Sequence, residues 1–157
     1  MKRLMALFVA AALLGAAAGC GSTPPRIVEA EGVLTLDGRP LPFATVEFIP
    51  ELKGFGAEYN STAVTDENGR FELVCAYKSQ PGAAVATHRV VVTDTTPRDV
   101  RGMDAESQAR AAKYQASLSN RPIPPEYGNF SKTPLRVTVE KGKKTYDVAL
   151  IGPRKGK

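Results

Sequence analysis

The sequence has no tryptophan, a single histidine (His88) and only two cysteines (Cys20 and Cys75) among its 157 residues. Zinc sites and histidine-based catalytic centres need several such side chains in one place. His88 alternates with Val90 and Val92, so we expect it to be packed inside with both ring nitrogens bonded locally. Cys75 is expected to pack as a small apolar side chain. The sequence therefore predicts no catalytic residue, no metal, no cofactor and no enzymatic activity.

A nucleic-acid-binding signature is also missing. The formal net charge is only +5, and no basic helix or interleaving of basic and aromatic residues accompanies it. Basic residues do gather near the last predicted turn, at Lys141, Lys143 and Lys144, and in the tail over 152–157. We interpret them as a solvated turn and tail, with contact to anionic lipid or acidic polysaccharide as the alternative.

The apolar run near the start is too short for a membrane-spanning helix. It covers 4–18, follows Lys2 and Arg3, and matches the apolar region of a secretory signal. The letters AAAGC resemble a bacterial lipobox, although Ala17 stands where Leu is usual. This resemblance implies a signal peptide over 1–19, a lipidated Cys20 and a tether over 20–27. Gly21 replaces the Asp that retains lipoproteins at the inner membrane, which favours the outer membrane, facing the periplasm or the exterior. The alternative is cleavage after an Ala-x-Ala sequence and secretion as a soluble protein.

Glycine and proline are frequent, and short stretches of alternating apolar residues lie between turn signals. Asp37-Gly38 and Asn68-Gly69 each predict a tight turn that joins two strands in a hairpin, and a third turn is expected near Lys141-Gly142. This pattern predicts an all-β domain over 28–151, a seven-stranded Greek-key β-sandwich. The predicted strands cover 28–36, 43–49, 61–65, 71–75, 86–93, 135–139 and 146–150.

A long insertion over 94–132 separates the fifth and sixth predicted strands. Its middle, 104–118, has helical composition with Asp104 as a plausible N-cap, and its apolar residues are mostly alanine, which predicts weak packing. The prolines over 121–127 predict an extended segment. The insertion is the expected location of binding specificity, because loops on a rigid scaffold often carry it.

Four aromatic residues in predicted loops are candidates for ligand contact: Phe55, Tyr59, Tyr127 and Phe130. Exposed rings at the end of a sandwich can stack on sugars, or they can cover open sheet edges instead. Tyr127 is expected to pack, because prolines precede it. The cluster over 66–68 could suggest calcium, but turn chemistry explains it better.

Several segments together resemble a known family. GVLTLDGRPLPFATVEF, VTDENGRFEL and a Pro-Gly turn before a valine-rich strand resemble the carboxypeptidase regulatory-like domain of the transthyretin (prealbumin-like) superfamily. IPPEYGNFSKTPLRVTVEKGKKTYDVAL is similar to small planctomycete-type envelope lipoproteins built on that domain. The resemblance covers about 29–150, and it departs at Phe43, where Gly is usual, and at His88, where Tyr is frequent. It implies a prealbumin-like sandwich that serves as an accessory or binding module.

The expected function is a lipid-anchored module of the cell envelope. Its membrane partner is reached through Cys20, and its further partners are envelope proteins or polysaccharides. A structural or assembly subunit is the alternative, and the sequence does not indicate the oligomeric state. A hydrolase of the transthyretin-like class ranks below both, because the hydroxyisourate hydrolases of that superfamily use several histidines and a Tyr-Arg-Gly-Ser type C-terminus, whereas this chain has one histidine and ends in IGPRKGK.

Overall fold

The computed structural model describes residues 23–95, 104–117 and 121–153. The predictions for the signal segment, Cys20 and the tail from 154 onward lie outside these residues. These described residues are mostly β and contain one α-helix, α1 (Ala105–Ser117). Its strands are β1 (Ile27–Val28), β2 (Glu31–Leu36), β3 (Arg39–Pro40), β4 (Ala44–Pro50), β5 (Ser61–Val64), β6 (Arg70–Glu72), β7 (Val74–Cys75), β8 (Gln80–Pro81), β9 (Ala83–Ala84), β10 (Thr87–Asp94), β11 (Arg136–Thr138) and β12 (Val148–Leu150).

Two main sheets enclose one hydrophobic core. The larger has the order β11-β10-β4-β5-β7-β8, and the smaller has β12-β2-β3 with β6 also paired to β2. The predicted alternation is confirmed, because the same side of each strand is buried throughout β2 and β4. Period-two alternation of this kind places every second side chain in the core. The fully buried large residues include Leu34, Val46, Phe48, Val90 and Leu150.

The first predicted hairpin is wrong in its strand pairing. The turn at Asp37 and Gly38 does form, with φ angles of 50° and 75°, but it returns only the two residues of β3 alongside β2. The chain then crosses to the other sheet, where β4 pairs with β5 and β10. Pro40 and Pro42 lack the N–H groups that a continuing ladder needs. Phe43 has a φ of 55° and redirects the chain at the crossing.

The second predicted hairpin is only partly correct, and the third is wrong in its strand pairing. β5 and β7 pair as expected, but between them β6 pairs with β2 of the other sheet, so the segment 70–75 contributes to both sheets. The strands that flank Gly142 do not pair with each other. β11 lies antiparallel to β10, whereas β12 lies parallel to β2, from Val148 opposite Leu34 to Leu150 opposite Leu36.

The predicted helix is present, and its N-cap is confirmed. The backbone N–H of Ser107 donates to Oδ1 of Asp104 over 2.7 Å. The prediction of weak packing missed Tyr114, which is buried and meets the Phe43 ring edge to face at 6.2 Å. Tyr114 also lies 6.0 Å from the Arg121 guanidinium. Within the described ranges, no helix has the length and apolar character that crossing a membrane requires.

Strand directions place the loops at two ends of the sheets. The Ile27 end, as we call it, holds β1, the loop 51–59, the segment 76–86 and the loop 139–145. Short backbone hydrogen bonds join these segments, including Val85 N to Arg26 O (2.8 Å), Val139 N to Ala86 O (2.8 Å) and Glu31 N to Lys144 O (3.0 Å). The opposite end of the sheets, which we call the helix end, holds α1, Phe43 and the turns at 37–38 and 66–69.

Candidate functional site

The four aromatic candidates lie in two separate parts of the structure. Phe55 and Tyr59 lie together at the Ile27 end, and Tyr127 and Phe130 belong to the segment that runs beside β10. Tyr127 is buried, and its hydroxyl accepts from the backbone N–H of Ile151 over 3.0 Å. Its expected packing is therefore confirmed, and its ring is part of the core. Tyr59 is buried as well, so Phe55 and Phe130 remain as candidates for ligand contact.

Phe130 forms an exposed surface with an arginine. Its side chain is 46% exposed, and the guanidinium carbon of Arg89 lies 4.7 Å from the ring centroid. Glu51 Oε1 accepts from Arg89 Nε over 2.9 Å and lies 3.3 Å from Arg136 Nε. The bond from Arg89, with the nearby charge of Arg136, lowers the pKa of Glu51 and keeps it a carboxylate. We call Phe130, Arg89, Glu51 and Arg136 the Arg89 platform.

The sheet fixes the position of the Arg89 platform. Arg89 lies on β10 between Ile49 of β4 and Arg136 of β11, on the face opposite the buried His88 and Val90. Several hydrogen bonds attach the segment that carries Phe130 to β10: Val92 N donates to Tyr127 O (2.9 Å), Thr133 Oγ1 donates to Val90 O (2.7 Å), and Arg89 Nη1 donates to Phe130 O (3.1 Å). A flat apolar ring bordered by charged hydrogen-bonding groups can stack on a sugar or an aromatic side chain and bind its polar edge.

The second aromatic group contains one residue that the sequence did not single out. Tyr59 is only 3% exposed and stacks on Tyr77, with ring centroids 5.0 Å apart and planes 15° apart. Phe55 meets Tyr59 edge to face at 5.2 Å, and the Lys78 ammonium lies 5.1 Å from the Tyr77 centroid. We call Phe55, Tyr59 and Tyr77 the aromatic corner. The half-buried Ile27 and Leu52 pack against the same cluster.

His88 and Cys75 are both inside the protein. His88 Nε2 lies 2.7 Å from the Ala84 carbonyl oxygen, and the ring packs on Phe48 at 5.6 Å. Nδ1 has no hydrogen-bond partner, so the expectation that both nitrogens are bonded locally is wrong for one of them. Burial lowers the pKa of His88 and keeps the ring neutral. Cys75 is fully buried, as predicted, with its sulfur 3.8 Å from the Glu58 carbonyl oxygen.

The acidic cluster at 66–68 forms a turn. Asp66 Oδ1 accepts from the backbone N–H groups of Asn68 and Arg70, each over 2.8 Å, which is the turn chemistry that the sequence predicts. Glu67 forms an ion pair with Lys113 of α1. In the part of the chain that the structure describes, no group of three or more His, Cys, Asp or Glu side chains could hold a metal ion.

The basic loop near residue 142 is partly neutralised. The Lys144 ammonium lies 3.3 Å from Glu29 and 3.2 Å from Glu31, and the hydrogen bonds to these carboxylates raise the pKa of Lys144. Lys143 lies 5.0 Å from the Tyr146 ring centroid. Lys141 is exposed.

Comparison with known proteins gives no family. No protein-family model matches the chain, and no curated protein matches it. Among solved structures, a 9R-lipoxygenase from Cyanothece PCC8801 is similar at 20% sequence identity with a TM-score of 0.37. The match covers 81% of this chain but only 16% of the lipoxygenase chain. A similarity at this TM-score supports no conclusion about fold or activity.

Proposed function

We propose that this protein is a lipid-anchored, non-catalytic module of the cell envelope that binds glycan or protein components. In this proposal the fold is a Greek-key sandwich of the prealbumin-like type, related to carboxypeptidase regulatory-like domains, and its seven strands are β2, β4, β5, the segment 70–75, β10, β11 and β12. The repeated crossing between sheets, at Phe43 and within 70–75, supports a Greek-key path. The lipobox-like sequence before Cys20 supports the anchor, and Gly21, in place of the Asp that retains lipoproteins at the inner membrane, favours the outer membrane.

The observation that carries the binding function is the Arg89 platform. One side of the Phe130 ring is covered by the Arg89 guanidinium, while the side chain as a whole stays 46% exposed. An aromatic ring held rigidly beside two cations and a carboxylate offers both stacking and directional hydrogen bonds. Neutral and acidic sugars present the apolar faces and polar edges that such a surface accommodates.

A binding measurement with a matched pair of variants tests this function. A soluble chain that starts at Gly21 is applied to an array of bacterial envelope glycans and to solubilised envelope proteins. Loss of a stacked ring costs about 0.5–1.5 kcal/mol, so Phe130→Ala should weaken binding about two- to tenfold. Ile151→Ala is the control, because Ile151 is 69% exposed at the helix end and should bind as the unaltered chain does. Equal affinities of the two variants would contradict the assignment of the site.

The anchor is tested separately by intact mass. Protein extracted from native membranes should have the mass of a chain that starts at Cys20 with a diacyl or triacyl modification, and Cys20→Ala should remove that addition. A chain that starts near Gly19 and carries no lipid would refute the anchor and support secretion.

An assembly role is the second candidate, and exposed valines favour it. Val64 of β5 and Val74 of β7 are 54% and 43% exposed, and both face outward on neighbouring strands. If this surface joins copies of the chain, Val64→Lys should convert an oligomer to a monomer in analytical ultracentrifugation. A monomeric unaltered chain at high concentration would exclude this role for the surface.

A further inference from the structure

We propose that the Ile27 end of the protein lies directly on the lipid headgroups, with Phe55 and Tyr77 of the aromatic corner inserted at the membrane interface. This inference rests on the lipid anchor at Cys20 that is part of the proposed function. It adds a defined orientation: the domain does not hang freely on its tether but docks on the bilayer through one end.

The length of the tether limits how far this end can be from the membrane. The Arg26 carbonyl oxygen accepts from Val85 N over 2.8 Å, and Ile27 pairs with Ala84 of β9. The chain is therefore attached to the folded domain from Arg26 onward. Even fully extended, residues 20–26 span only about 20 Å. With its lipid in the bilayer, Cys20 holds the Ile27 end nearest the headgroups, whereas the helix end lies at the other ends of the same strands.

The surface at this end is apolar and aromatic. Four half-buried side chains gather around the buried Tyr59: those of Ile27, Leu52, Phe55 and Tyr77. Tyr77 has an apolar body and a polar hydroxyl, the combination that favours the interface between lipid tails and water. Because Ile27 belongs to this cluster, the segment that leads from the anchor runs directly into the aromatic corner.

Charge at the Ile27 end also suits a bacterial membrane. Six exposed cations lie on the segments of this end: Arg26, Lys53, Lys78, Lys141, Lys143 and Lys144. The exposed acids of its loops are Glu51, Glu58 and Glu140, of which Glu51 pairs with Arg89 and Arg136, while Glu29 and Glu31 both pair with Lys144. Cations beside aromatic rings attract anionic headgroups as the rings insert. The excess of cations over acids is small, so we expect the aromatic corner and the tether to provide most of the docking.

A single introduced tryptophan tests the orientation, because the natural chain has none. The full-length lipidated protein is reconstituted into vesicles of phosphatidylethanolamine and phosphatidylglycerol, with and without brominated acyl chains that quench tryptophan. Tyr77→Trp keeps a flat ring against Tyr59 and should lose most of its emission in brominated vesicles. Ile151→Trp, exposed at the helix end, is the control and should keep its emission. Phe55→Trp is a second probe of the same end, used if Tyr77→Trp does not give the circular dichroism spectrum of the folded chain.

Failure of the docking and failure of the anchor give different results. If intact mass shows lipid on Cys20 and the Tyr77→Trp emission is unchanged by brominated lipid, docking is refuted and the anchor stands. Equal quenching of Tyr77→Trp and Ile151→Trp likewise refutes an orientation through the Ile27 end. If the mass shows no lipid, the anchor fails and the docking inference fails with it.

Discussion

Protonation of His88 should destabilise the fold below neutral pH, and the structure gives the direction of the effect. The ring is fully buried, so a second proton on Nδ1 would be a buried charge, and its desolvation outweighs the favourable effect of the Ala84 and Phe48 backbone groups. Burial therefore holds the pKa of His88 below its ordinary value near 6.5. The unfolded chain binds this proton as the pH falls through about 6.5, whereas the folded chain does not.

The magnitude follows from proton linkage. Above about pH 7 the ring is neutral in both states, and the full stability is present. Below that, one extra proton bound by the unfolded chain lowers the free energy of unfolding by up to about 1.4 kcal/mol per pH unit. The loss continues until the pH reaches the lowered pKa of the folded state. Between about pH 6.5 and pH 5 this slope limits the loss to at most about 2 kcal/mol, or about 8 °C in Tm for a domain of this size.

Thermal unfolding followed by circular dichroism from pH 8 to pH 5 measures this loss in a soluble chain that starts at Gly21. His88→Gln is the matched variant, because glutamine can still donate to the Ala84 carbonyl oxygen and does not titrate. Its Tm should be nearly flat over this range. Both chains should lose stability at more acidic pH, because Glu51 and Asp104 have lowered pKa values and become protonated there. A parallel decline of Tm in both chains between pH 7 and pH 5 would refute this account of His88.

Two further pairs of variants, each with its own control, test the attachment of peripheral elements. Gly82 has a φ of 106°, and a Cβ atom there would overlap the Val28 carbonyl oxygen. Gly82→Ala should therefore lower the free energy of unfolding in urea by at least about 2 kcal/mol. Gly142→Ala, where φ is 82° and no atom is close to the added Cβ, should lower it by about 1 kcal/mol. Equal losses in the two variants would contradict the steric argument. Tyr114→Ala should speed proteolysis within α1 and leave the Tm of the sheets nearly unchanged. Lys113→Ala removes only an exposed ion pair, so it should change neither the rate of proteolysis nor the Tm. A helix equally protected without its tyrosine would show that other contacts hold it.

The sequence predicted which residues face the core better than which strands pair. Alternation decides the buried side of a strand, and Leu34, Val46 and Val148 are buried as it predicts. Alternation does not say which neighbour a strand pairs with, because any partner can bury the same face. The crossing at Phe43 depends on a left-handed backbone conformation in a bulky residue. Glycine is the residue that usually adopts this conformation, so the sequence did not indicate it at a phenylalanine.

For the candidate surfaces too, the sequence predicted single residues better than the contacts between them. Phe130 and Phe55 were identifiable as aromatic residues in loops. The residues that they contact, Arg89 and Tyr77, could not be identified, because they come from distant parts of the chain. In the sequence, Arg89 has the pattern of an ordinary strand residue and Tyr77 that of an ordinary turn residue. An aromatic residue followed by lysine in a turn, as at 77–78, was the signal available for Tyr77. For Arg89 the signal was weaker, a single cation within a run of valines.

The smaller sheet is complete only when β12 has paired in parallel with β2. Val148 lies opposite Leu34, and Asp147 accepts from the backbone N–H of Val33, so contacts across more than a hundred residues close the smaller sheet. Until residues 147–150 are present, one edge of β2 is open along most of its length and can pair with another chain. Contacts this distant in sequence slow folding, because a long loop must close before they form. A growing chain therefore stays exposed to mispairing along this edge of β2 until residues 147–150 are available to pair with it.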